Sequence, residues 1–134
     1  MTKKIIALSM IIGSLLFVVH TLADEFKEED LMRWKKEFDA SVEYGRKLWV
    51  GTELSSNGVS CAQCHPNAAN THPETYPKFQ KQIGRVSALW EMINFCIRGP
   101  LQGTDLKPDS KEMIALQAYI AFERRGVKLD PGKH

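Results

Sequence analysis

Cys61-Ala62-Gln63-Cys64-His65 is the stretch on which the reading of this sequence turns. Two thiols three positions apart, followed at once by a histidine, form the C-x-x-C-H pattern of covalent haem attachment. The spacing has a chemical reason. Two such cysteines can form thioethers to the two vinyl groups along one haem edge, and the adjacent imidazole is then held beneath the iron as proximal ligand. Two other readings compete. A thioredoxin-like dithiol wants βαβ surroundings, which are missing around the motif. A zinc site needs four good ligands, and the remaining histidines are poorly placed to supply them. The third cysteine, Cys96, makes the count odd, which argues against a disulfide framework.

Upstream of the motif, residues 1–23 read as a signal segment. Lys3-Lys4 is a positive start, Ile5 to Val19 an apolar run, and Thr21-Leu22-Ala23 places small residues at the cleavage positions before acidic Asp24. The run falls short of the ~20 residues needed to span a bilayer. The expected division is therefore a signal peptide over 1–23 and one cytochrome c domain over 24–134. The protein is expected in the periplasm, and at a membrane only if the leader is retained. A chain of 134 residues fits one domain of ~100–150 residues. Lys and Arg exceed Asp and Glu by 18 to 16, and the excess of two is the leader's own lysine pair. The remainder is formally neutral, so no nucleic-acid partner is expected.

The flanks read as helices. From Phe26 to Val50, Leu31, Trp34, Phe38 and Val42 recur at three- and four-residue steps, and Glu28, Glu29 and Asp30 complement the dipole of the first turn. Gly45, followed by Leu48 and Trp49, offers a place where another helix can approach closely. Its partner is a C-terminal helix with Met113, Leu116, Tyr119 and Ile120 on one face and Asp109-Ser110 at its N-cap. Leu54 to Ser60 and Pro66 to Tyr76 read as loops, the first turning at Asn57-Gly58. Val86 to Arg98 has helical periodicity, stopped by Gly99-Pro100, and Leu101 to Pro108 is a further loop. No β alternation is evident. The fold expected is all-α, a small helical domain wrapped around one covalent haem c. First and last helices crossing at a glycine, with C-x-x-C-H just after the first, look like the class I cytochrome c arrangement.

The second axial ligand determines what such a haem does: methionine raises its potential, thiolate pushes electron density onto iron, and an empty site admits small molecules. His72 lies too close to His65 in sequence, His134 is terminal, and Met113 belongs to a packing stripe. Met92 and Cys96 remain, four residues apart on one helix surface. Cys96 also reads as a small buried hydrophobe, or as half of an intermolecular disulfide.

Tyr76-Pro77-Lys78-Phe79, Gly84-Arg85-Val86, Ile93-Asn94-x-Cys96, Gly103, Leu106, Asp109-Ser110-x-Glu112-Met113 and Ala118-Tyr119-Ile120 resemble the haem domains of thiosulfate dehydrogenases and of the Sox-type sulfur-oxidation cytochrome A. The likeness covers about residues 61–125. In those families the cysteine matching Cys96 is the distal ligand, so the resemblance implies His65/Cys96 ligation, with Met92 as the alternative. The chain also departs from the pattern. It has one C-x-x-C-H where thiosulfate dehydrogenases usually have two. Gly99 stands where an arginine is common, with Arg98 one place earlier, and Met92 stands where arginine often precedes Ile-Asn. Arg85 and Arg98 are the remaining cations for an anionic sulfur substrate, although each also reads as a solvated surface charge.

Two functions are carried forward. The first is a non-enzymatic cytochrome passing single electrons to and from redox partner proteins, in sulfur-compound oxidation by resemblance. The second is a thiosulfate dehydrogenase-like enzyme or enzyme subunit acting on a sulfur anion at a Cys96-ligated haem. A gas-binding haem with an open distal site is a third.

Overall fold

The computed structural model describes residues 27–129; the signal segment read over 1–23, and His134, lie outside them. The first helix, α1 (Glu28–Val50), begins where Asp30 accepts a hydrogen bond from the Lys27 backbone N–H at 3.3 Å. One short turn, α2 (Cys61–Cys64), carries both cysteines of the motif. Two 3₁₀ turns follow, Pro66–Ala68 and Pro73–Thr75, then two strands, β1 (Lys78–Gln80) and β2 (Arg85–Ser87). Helices α3 (Leu89–Arg98) and α4 (Lys111–Arg124) complete the order.

The helical expectation holds, with corrections. Val86 lies in β2 rather than in a helix, and α3 begins only at Leu89. The strands form an antiparallel hairpin with Phe79 opposite Val86. Three-residue strands are too short to show an alternation in sequence, and Phe79 and Val86 are both exposed, so neither belongs to the core. The stripe along α1 is likewise only half used. Val42, Leu48 and Trp49 are buried, whereas Leu31 and Trp34 are 54% and 45% exposed.

α1 and α4 pack across Gly45. A Cβ there would lie 2.6 Å from the Ala115 carbonyl carbon and 2.8 Å from Tyr119 Cβ, so only glycine permits this approach. Ser110 Oγ accepts from the Met113 N–H at 3.2 Å, making it the N-cap that starts α4. The core that results is Met113, Leu116, Tyr119 and Ile120 of α4 against Trp49 of α1, with Ile93 and Ile97 of α3 and Leu101. Gly103 is the second close approach. Its missing side chain admits the Leu54 carbonyl, which ties the 51–60 loop to the 101–108 loop. Asn57 Nδ2 adds a 2.9 Å bond to the Pro100 carbonyl.

Candidate haem site

Ser60 opens α2, its N–H donating to Gln63 Oε1 at 3.3 Å, and the His65 N–H closes the turn on the Cys61 carbonyl at 2.9 Å. One helical turn is the shortest regular unit that sets positions i and i+3 on a common face, and here those positions are Cys61 and Cys64. His65 sits just beyond it. Its Nδ1 lies 2.8 Å from the Ala69 carbonyl, and that contact is a hydrogen bond if Nδ1 carries the proton. The ring is then fixed with Nε2 available as a lone-pair donor, the usual arrangement of a ligating histidine. Trp49 Nε1 donates to the His65 carbonyl at 2.9 Å, so the α1–α4 core reaches the histidine directly.

The segment after His65 is tightly wound. Asn67, Ala68, Asn70 and His72 all have positive φ, which asparagine accepts readily and alanine does not. Ala68, at φ 53, is fully buried, and its N–H bonds to the His65 carbonyl at 3.1 Å. Packing and that hydrogen bond offset a backbone strain of order 1–3 kcal/mol per residue.

A cavity of about 680 Å³ brings the predicted residues together: Cys61, Cys64, His65, Met92 and Cys96 all line it. That volume lies within the ~300–1,000 Å³ usual for cofactor sites. Leu89, Ile93, Leu101 and Ile120 supply apolar wall. No disulfide joins any two of the three cysteines. Burial, and next the neighbouring Cys96, push the Cys61 thiol up to about 11; burial also raises Cys96, with Cys64 contributing. Cys96 thus shares a cavity with the motif although the two lie on different helices. Residues at this site therefore fit a haem: a paired-thiol turn, an oriented imidazole, an apolar wall and a sulfur from α3. Among the described residues no group of three or more His, Cys, Asp or Glu is arranged to hold a metal ion by itself.

His72 is buried but does not line this cavity, and Met113 is wholly within the core. Arg85 is ion-paired to Glu91 and Arg98 to Asp105; neither lines the cavity. Two features escaped the sequence reading. Asn94, buried on α3, donates from Nδ2 to the Leu106 carbonyl at 2.9 Å and accepts from its N–H at 3.0 Å. It thereby clamps the 101–108 loop to the helix that carries Cys96. The other feature is the hairpin, which contributes Lys78 and Lys81 to the cavity wall.

Residues 44–129 match the family model of the SoxA/TsdA cytochrome c domain. The chain belongs to that family. As a cytochrome c domain of the SoxA/TsdA type it binds haem c covalently. It is 30% identical over 99 residues to a thiosulfate dehydrogenase of Psychrobacter arcticus, covering 64% of this chain and 30% of that protein. It is 32% identical over 95 residues to an L-cysteine S-thiosulfotransferase subunit SoxA of Pseudaminobacter salicylatoxidans, covering 67% and 33%. The SoxXA crystal structure from P. pantotrophus shares the fold, with a TM-score of 0.63 at 22% identity over 76% of this chain and 40% of that one. The chain thus spans about a third of the length of the curated relatives it matches.

Proposed function

We propose that this is an exported cytochrome whose single haem c is held by thioethers to Cys61 and Cys64, with His65 as proximal and Cys96 as distal ligand. It carries single electrons between redox partner proteins in sulfur-compound oxidation. The supporting observation is that α3 brings Cys96 into the same cavity wall as Cys61, Cys64 and His65. Met92 on that wall is the alternative ligand. When bound, haem supplies a one-electron iron couple. The chain's residues do the rest: the Ala69 carbonyl orients His65, the Trp49–His65 bond steadies it, and the α3–α4 wall excludes water.

EPR of the ferric, haem-loaded protein and its Cys96→Ser variant tests the ligand set. A low-spin thiolate signal that vanishes in the variant supports it. A signal indifferent to the change makes Cys96 a packing residue and leaves Met92 or an open site. The domain division, with 1–23 removed and 24–134 functioning outside the cytoplasm, is checked by mass spectrometry of the periplasmic fraction, where the chain should begin at Asp24. Among the described residues no helix is long and apolar enough to cross a membrane.

A second reading, an enzyme or enzyme subunit acting on thiosulfate or a related sulfur anion, is supported by the names of the relatives at 30–32% identity. Such an oxidation releases two electrons, whereas one haem stores one, so a partner must accept the second. Arg85 and Arg98 are engaged with carboxylates and lie outside the cavity. Steady-state thiosulfate oxidation by the pure protein, lost in Cys96→Ala, would decide for the enzyme.

A further inference from the structure

The cavity has an uneven charge inventory. Besides His65, its ionisable wall residues other than thiols and tyrosine are Lys78 and Lys81, and no Asp or Glu lines it. Neither lysine has a carboxylate partner among the described residues, in contrast to Arg85 and Arg98. Both come from one short stretch. Lys78 and Gln80 share a face of β1 by the two-residue period of a strand, and Lys81 follows directly. Lys78 Nζ rests 4.8 Å over the Tyr76 ring, and Gln80 Nε2 donates to the Tyr76 hydroxyl. Tyr76, Lys78, Gln80, Lys81 and Gln82 therefore supply a run of polar groups, two of them cationic, to a cavity otherwise lined by thiols, hydrocarbon, His65 and the neutral side chains of Ser60, Asn70 and Thr71.

A haem held at its vinyl edge brings two propionate carboxylates into the same cavity. Charges taken out of water need counter-charges and donors, or their burial is unfavourable by several kcal/mol each. We infer that Lys78 and Lys81 hold the haem propionates and, by neutralising them, raise the reduction potential of the iron. The sign follows from Coulomb's law: an uncompensated carboxylate near iron favours the ferric state and lowers the potential. This rests on the covalent haem of the family and is independent of which residue is the distal ligand. An EPR signal indifferent to Cys96→Ser would leave it standing.

The test is spectroelectrochemistry of the haem-loaded protein with no sulfur compound present. Lys78→Gln and Lys81→Gln should each lower the potential, the double variant further, and Lys→Arg at each position should restore it. Unchanged potentials in a fully loaded double variant overturn the inference. So does weaker sulfite or thiosulfate binding at an unchanged potential, because the lysines would then face a substrate anion. If the glutamine variants fail to load haem, the arginine variants are read by the propionate bending mode in resonance Raman. A shift from wild type supports the contact, and an unmoved mode overturns it.

Discussion

Gly45→Ala should destabilise the protein although it improves α1 as an isolated helix. In a helix interior, alanine is favoured over glycine by about 0.8–1.0 kcal/mol. Here the new methyl would lie 2.6 Å from the Ala115 carbonyl carbon and 2.8 Å from Tyr119 Cβ, against ~3.5–4.0 Å for a relaxed carbon contact. The obstructing atoms are mainly α4 backbone, which cannot rotate aside as a side chain can. Relief requires α1 and α4 to part by roughly 1 Å. Overpacking of this kind typically costs about 1–3 kcal/mol, and the rigid neighbour puts it at the upper end. The net loss after the propensity gain is about 1–2 kcal/mol, or a fall in Tm of roughly 5–15 °C for a domain of this size. Thermal melts of the haem-loaded protein followed at 222 nm and at the Soret band would measure it. A variant melting at or above wild type would refute the close-approach argument, since that is what propensity alone predicts.

Asn94→Ala removes both hydrogen bonds to Leu106 and leaves its half-buried N–H and carbonyl without these partners. The expected loss is about 1–3 kcal/mol, with faster amide exchange at Leu106; an unprotected Leu106 in wild type would sink the idea. Cys61→Ala should leave at most one thioether, at Cys64, so haem loading falls and denatured protein retains less haem on a gel; undiminished covalent haem would disprove it. Glu91 accepts from Arg85 and from the Ala88 N–H, which hold its carboxyl below the usual value. A depressed folded-state pKa contributes stability above the unfolded value of about 4.3, lost as pH falls through the lowered one. Glu91→Gln should therefore lower Tm at pH 7 and converge with wild type in acid, and a constant difference across that range would contradict the assignment.

Much of this architecture was legible because its signals are local. Periodicity located α1 and α4, Ser110 announced its cap, and Gly99-Pro100 marked the end of α3. Errors arose where the deciding contacts were distant or the pattern pointed outward. Leu31 and Trp34 continue the α1 stripe but remain substantially exposed, because periodicity describes a helix face and not what covers it. Val86 joined an apparent helical pattern because a three-residue strand has no period of its own. Asn94 and Leu106 were both visible as residues carrying the family likeness. Nothing in their spacing revealed that one side chain satisfies the other's backbone groups.

The sequence by itself determined which groups stand together at the motif. Cys61, Cys64 and His65 lie within five consecutive residues, so chain connectivity alone brings them together, whatever the rest of the fold does. Tertiary structure decided which distant groups join them. Cys96 reaches the cavity because α3 is held by the Asn94 clamp and the core it shares with α4, and the lysines that line it are Lys78 and Lys81 because the hairpin folds toward it. Arg85 and Arg98 are engaged elsewhere, with Glu91 and Asp105 as their partners. Proximity between separated residues is a property of packing, and the strengths of charge and hydrogen-bond interactions depend on that proximity.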